Sequence, residues 1–185
     1  MSSSIITVLA ASDALSRSHD NPIETCAPLW GERWVRGMDQ SGATHACIST
    51  LDRAPPKYAR YPAGALSRAH DNLVRTYVIV LDDIGTRVPP ERIKLRPSSR
   101  LEISPLNFQY GYIPAGGIAP DAADALIEAL ARAGLCDKAA GGANRLMRLP
   151  GSVVNGFTAR LHEWNPELRY SRTDIAVGLG VEGVQ

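Results

Sequence analysis

The chain is 185 residues long, with 44% hydrophobic and 21% charged residues and a formal net charge of +1 at pH 7. That composition suits one globular domain with a real core; it excludes wholesale disorder and a globally basic surface, so any affinity for a polyanion must come from a local patch. No apolar run reaches a membrane span, and residues 5–11 follow serines instead of a basic segment, so the expectation is a cytoplasmic protein without signal peptide or anchor.

Residues 1–42 are expected to form an N-terminal helical/β entry segment packed on the core; Trp30 and Trp34, four apart as on one helix face, predict a helix within it. A short strand is expected over 43–50, then a loop over 51–64 where Pro55, Pro56 and Pro62 mix with basic residues and tyrosines. Residues 75–81 are a run of β-branched and aromatic side chains, the pattern of a strand buried on both faces, and the run stops at Asp82-Asp83. Gly85 and Pro89-Pro90 then demand a loop, and 93–95, 101–103 and 108–113 read as strands.

The best helix opens at Pro120-Asp121, carries the apolar stripe Leu126, Ile127 and Leu130, and stops at Gly134. After Asp137 and the Gly141-Gly142 loop, residues 145–149 and 161–164 read as strands. Ser171 then caps a helix with Asp174 at its third position. The expected division is an N-terminal segment over 1–42, a main domain over 43–169, and a C-terminal helix or linker over 170–185 leading into a further region. Mixed strands and helices in this order predict an α+β fold with a mostly antiparallel central sheet flanked by helices.

Cys26, Cys47 and Cys136 lack both the paired spacing of a zinc site and the even count of a disulfide framework, so reduced thiols are expected. His19, His45, His70 and His162 show no ligand-like spacing and are read as surface or capping residues. The glycine pairs lack a following Lys-Ser or Lys-Thr, so no phosphate loop of the nucleoside-triphosphatase type is present.

The sharpest chemical feature is Asp82-Asp83 at the end of an apolar strand, where carboxylates at the core's edge can hold a divalent cation. A strand leaving into a polar turn shows the same dipeptide, and adjacent strand residues point to opposite faces, so the pair converges only if the backbone turns there. Asp137, after the helix, reads as a turn residue or a third ligand. Glu102, Ser104, Asn107 and Gln109 interleave with apolar residues in a segment suited either to binding a nucleotide or to a half-exposed hairpin. Arg145, Arg148 and Arg160 gather near Pro150-Gly151 and Asn155; guanidinium forks suit phosphates, though a solvated basic strand has the same spacing.

In order and spacing, these pieces resemble the archaeo-eukaryotic primase superfamily, in its branch of plasmid replication primases and phage primase-helicases. The resemblance spans about residues 77–155: Val-Leu-Asp-Asp-Ile, then Glu-Ile-Ser-Pro-Leu-Asn-Phe-Gln, then Asp137, then Arg-Leu-Pro-Gly with its downstream Asn. It implies a sheet of the RNA-recognition-motif type and templated primer synthesis, with Mg²⁺ or Mn²⁺, two divalent ions in all, held by Asp82, Asp83 and Asp137. It further implies nucleotide or template contacts from Ser104, Gln109, Arg145, Arg148 and Asn155, with Gln109 standing where many members carry histidine, and an acidic position of undefined role at Glu102.

The implied partners are a single-stranded DNA template, nucleoside triphosphates and a replicative helicase domain or protein, with no membrane. The tyrosines and arginines between Lys57 and Arg68 are candidates for template stacking. Two other classes stay open: a non-catalytic module that binds single-stranded or origin DNA, and a metal-dependent nuclease.

Overall fold

The computed structural model describes residues 5–6, 8–10, 23–24, 43–51, 70–137 and 142–181. The helix expected around Trp30 and Trp34, the loop between Lys57 and Arg68, His19, Cys26 and residues 182–185 lie outside them. Strands are numbered along the chain. The N-terminal half contributes β1 (Ile5–Ile6), β2 (Val8–Ala10), β3 (Ile23–Glu24), β4 (Ala43–Cys47), β5 (Ser49–Leu51) and β6 (Leu73–Thr76). One sheet has the order β3-β1-β5-β6; another sets β4 between β2 and β10 (Leu146–Arg148).

The second half is built on β7 (Ile79–Ile84), β8 (Ser99–Ser104) and β9 (Asn107–Pro114), all antiparallel neighbours through β9. β11 (Val153–Val154) and β12 (Phe157–Thr158) form a hairpin, β13 (Arg160–Trp164) pairs with β8, and β14 (Arg169–Tyr170) runs parallel to the end of β9. The result is an α+β fold with mostly antiparallel sheets, as the order of apolar runs predicts.

The strand expected over 75–81 is two strands that change partners: β6 pairs with β5, and Thr76 then bridges Ile118 before β7 joins β9. The expected strand at 93–95 does not form. A 3-10 turn fills Pro90–Arg92, and beyond it Ile93 and Leu95 pack on the core from an irregular backbone with no ladder partner among the described residues. The hairpin at Val153 is an element the sequence reading did not contain. Its turn is Asn155-Gly156 with φ of 51° and 77°, the left-handed pair that a two-residue hairpin requires.

Helix α1 (Pro120–Arg132) buries Ala123, Leu126, Ile127 and Leu130 against the sheet core of Ile79, Val80, Leu81 and Tyr112. It ends where Gly134 turns left-handed, at φ 69°, and the Leu135 amide donates back to the Leu130 carbonyl. Helix α2 (Arg172–Gly178) has the reciprocal cap its sequence predicts: Ser171 Oγ accepts from the Asp174 amide, and the Asp174 carboxylate accepts from the Ser171 amide. Its Ile175 and Ala176, with Leu179 and Val181 just beyond, belong to the same core as β7. The side chains of Cys47 and Cys136 are buried. No helix among the described residues is long and apolar enough to cross a membrane.

Candidate functional site

The apolar half of β7 anchors Val80 and Leu81 in the core, and the strand does not stop at the first aspartate. It runs on to Ile84 through a bulge between Leu81 and Ile84, with Asp83 left-handed at φ 61°. In a regular strand the two carboxylates would lie on opposite faces; the bulge turns the backbone between them. The Asp83 carbonyl then accepts from the amides of Arg87 and Val88, both at 3.0 Å, which fixes the turn. Both side chains stay partly exposed, at 21% and 23%.

Asp82 is held on three sides. Its Oδ2 accepts from Arg145 Nη2 at 2.8 Å and from Gln109 Nε2 at 3.1 Å, and its Oδ1 from the Asp83 amide at 3.1 Å. Arg145 is itself buried, and its Nη1 donates to the Val80 carbonyl at 3.0 Å, so its charge is committed to the strand end. Asp83 Oδ1 accepts from Asn107 Nδ2 at 3.2 Å. Arg87 Nη1 lies 3.5 Å from Asp83 Oδ2 and 3.2 Å from Asp137 Oδ2, tying the residue after α1 to the end of β7.

Gln109 links this cluster to the sheet of β4 and β10. Its Oε1 accepts from the Arg148 amide at 2.9 Å while its Nε2 reaches Asp82. Arg148 is buried, donating from Nε to Ser152 Oγ at 3.2 Å and from Nη2 to the Ser152 carbonyl at 2.9 Å. Loss of hydration pushes its pKa down, and among the described residues it pairs with no carboxylate. His45 stands opposite Arg148 in the ladder of β4 and β10. Burial chiefly, then the Arg148 charge, hold its imidazole below the usual range, against a smaller upward pull from Asp82. Burial also pushes the Cys136 thiol up, opposed by Arg145.

Of the residues picked out by sequence, Asp82, Asp83, Asp137, Gln109, Arg145 and Arg148 are thus brought together. Ser104 pairs with Asn107 across the tight turn between β8 and β9, and Asn155 sits exposed at the tip of its hairpin; no hydrogen bond joins either to the carboxylates among the described residues. Glu102 closes the β8-β9 turn: it accepts from the Leu106 amide at 3.1 Å and meets His162 at 3.1 Å, two contacts that hold its carboxyl below the ordinary range.

The sequence reading missed His45, Arg87 and Ser152. Arg87 could have been found from its spacing four residues after Asp83; nothing local marks the other two.

A second cluster joins the 3-10 turn His70–Asn72 to the start of α1, where His70 Nε2 is 2.8 Å from Asp124 Oδ2 and 3.4 Å from Asp121 Oδ1. Among the described residues these three are the one group of His, Cys, Asp or Glu whose ligating atoms all lie within 4.8 Å of one another. Asp82, Asp83 and Asp137 do not close to that distance. A cavity of about 600 Å³ extends from His70 and Asp124 along α1 to Asp137.

No protein-family model and no curated protein matches the chain. Solved structures do. The archaeo-eukaryotic primase domain of the cyanophage S-2L primase-polymerase superposes with a TM-score of 0.59 at 16% identity, over 96% of this chain and 89% of that one. The catalytic domain of primase Repb′, solved with initiator DNA, gives 0.55 at 16% identity over 95% and 82%. Primase RepB′ gives 0.54 at 15% over 95% and 55%.

Proposed function

Because the chain has the fold of an archaeo-eukaryotic primase domain, we propose that it is the catalytic domain of a primase or primase-polymerase, joining nucleotides on a single-stranded DNA template. The observation that carries this reading is the gathering of Asp82, Asp83 and Asp137 at one end of β7, through a bulge and a shared arginine. Three carboxylates at one strand end make an anionic cluster suited to a divalent cation.

The donor set suits hard divalent cations. All three side chains offer carboxylate oxygens, and the Oδ1 of Asn107, next to Asp83, is buried without a hydrogen-bond partner among the described residues. Two ions, Mg²⁺ or Mn²⁺, would when bound activate the attacking 3′-hydroxyl by lowering its pKa and offset the charge that builds on the leaving pyrophosphate. Arg145 orients Asp82 through the bond to its Oδ2. Arg148, with no carboxylate partner among the described residues, is assigned to the triphosphate, and Gln109 sets its distance from Asp82. Ser104 and Asn155 are assigned to the rim that meets nucleotide or template. The cavity that ends at Asp137 has the volume of a small-ligand site.

Single-stranded DNA and nucleoside triphosphates are the ligands of this reading, and a replicative helicase its natural partner in phage or plasmid replication. The test is incubation of the chain with single-stranded DNA, Mg²⁺ or Mn²⁺ and labelled nucleotides, beside Asp82→Ala and Asp83→Ala variants whose circular dichroism matches the parent. Metal-dependent oligomers from the parent alone are expected, with a loss of at least about a hundredfold in either variant. Full synthesis by a folded Asp82→Ala variant would refute the metal assignment. Template binding without synthesis would make the chain a binding module, and template cleavage a nuclease.

A further inference from the structure

We infer that Arg87 is a built-in competitor of the divalent cation, a guanidinium latch that must leave before an ion can bridge Asp83 and Asp137. The inference rests on the assignment of those carboxylates as metal ligands. One nitrogen, Nη1, contacts both of them, at 3.5 Å and 3.2 Å. An ion bound by both would stand about 2.1 Å from each oxygen, in the space this nitrogen fills, so latch and ion exclude each other. The carboxylates remain spread around the guanidinium; with Asp82 they do not approach within 4.8 Å as a set.

The two arginines at the site differ in what they can do. Arg145 is 3% exposed in its side chain and bonded to both Asp82 and the Val80 carbonyl, so it stays with its carboxylate. Arg87 is 69% exposed, on the turn that follows the bulge, and its backbone is fixed independently by the bond from its amide to the Asp83 carbonyl. Its side chain can therefore swing away without moving Asp83. Metal binding costs two ion pairs in the free protein. A polyphosphate bound nearby offers Arg87 another anion, so that cost falls when nucleotide arrives and the two ligands load together.

The test is Mn²⁺ titration of the full chain without nucleotide, reading free Mn²⁺ by electron paramagnetic resonance, for the parent, Arg87→Met and Asp83→Asn. The latch predicts roughly three- to tenfold tighter binding in Arg87→Met, the weight of two exposed ion pairs. It also predicts that a non-hydrolysable nucleoside triphosphate tightens Mn²⁺ binding more in the parent than in the variant.

Unchanged or weaker binding in Arg87→Met, with Asp83→Asn still impaired, would overturn the latch and leave the metal site standing. If Asp83→Asn binds Mn²⁺ as the parent does, the site assignment itself fails and the latch falls with it. Arg87 is exposed on a turn, and matched melting curves show whether the variant is folded.

Discussion

Two buried arginines three residues apart have opposite duties. Arg145 neutralises Asp82, and taking it away leaves a partly buried carboxylate with only the Gln109 amide and one backbone amide. Arg145→Met should therefore lower unfolding stability by about 3 kcal/mol, read from a denaturant titration. Arg148 holds no carboxylate among the described residues, so Arg148→Met should cost about 1 kcal/mol, the weight of its bonds to Ser152, while weakening nucleotide binding. Equal losses from the two would show that the charges are not divided in this way. Asp82 and Asp83 were legible in the sequence because a pair of charges ending an apolar run is conspicuous in any register. His45 was not: its place depends on the pairing of β4 with β10, residues remote in sequence whose alternation says nothing about which strand lies beside which.

At the scale of elements, the bulge in β7 is what makes the aspartates a pair, and its geometry leans on Gly85. That residue sits at φ 93°, and a Cβ there would run into the Leu106 carbonyl oxygen of the β8-β9 turn. Gly85→Ala is expected to destabilise the fold by about 2 kcal/mol or more, since neither the backbone angle nor the space admits a methyl group. A thermal melt checks it, and an unchanged midpoint would mean that the turn relaxes. The helices were readable from their caps and stripes, as Gly134 and the pair Ser171 and Asp174 show. Ladder partners were not: the continuous run from 75 to 81 conceals a change of sheet, which depends on Ile118 far along the chain. The hairpin at Asn155-Gly156 does carry a local signal, a dipeptide suited to that turn.

For the whole molecule, the imidazole of His45 couples folding to pH. Its folded pKa lies below the usual value near 6.5, so the unfolded chain binds the extra proton as pH falls. Its contribution is complete above about pH 6.5 and is lost as pH drops through that value towards the depressed folded one. Urea midpoints measured from about pH 7 to pH 5 should fall, and His45→Gln should flatten that part of the slope; an identical slope in the variant would place the linkage elsewhere. The α+β class and the antiparallel sheets follow from the order of the runs, whereas the seam between the sheets of β4 and β9 depends on contacts between residues remote in sequence.

That seam has a direction. Gln109 faces a carboxylate on one side and a main-chain N–H on the other, so its amide can sit only one way round: the NH₂ towards Asp82 and the oxygen towards Arg148. A glutamate would fill the same volume and still accept from Arg148, yet it would turn a lone pair and a negative charge on Asp82. At this position shape and polarity come apart, and only the asymmetric amide can bridge the carboxylate on one side and the main chain on the other.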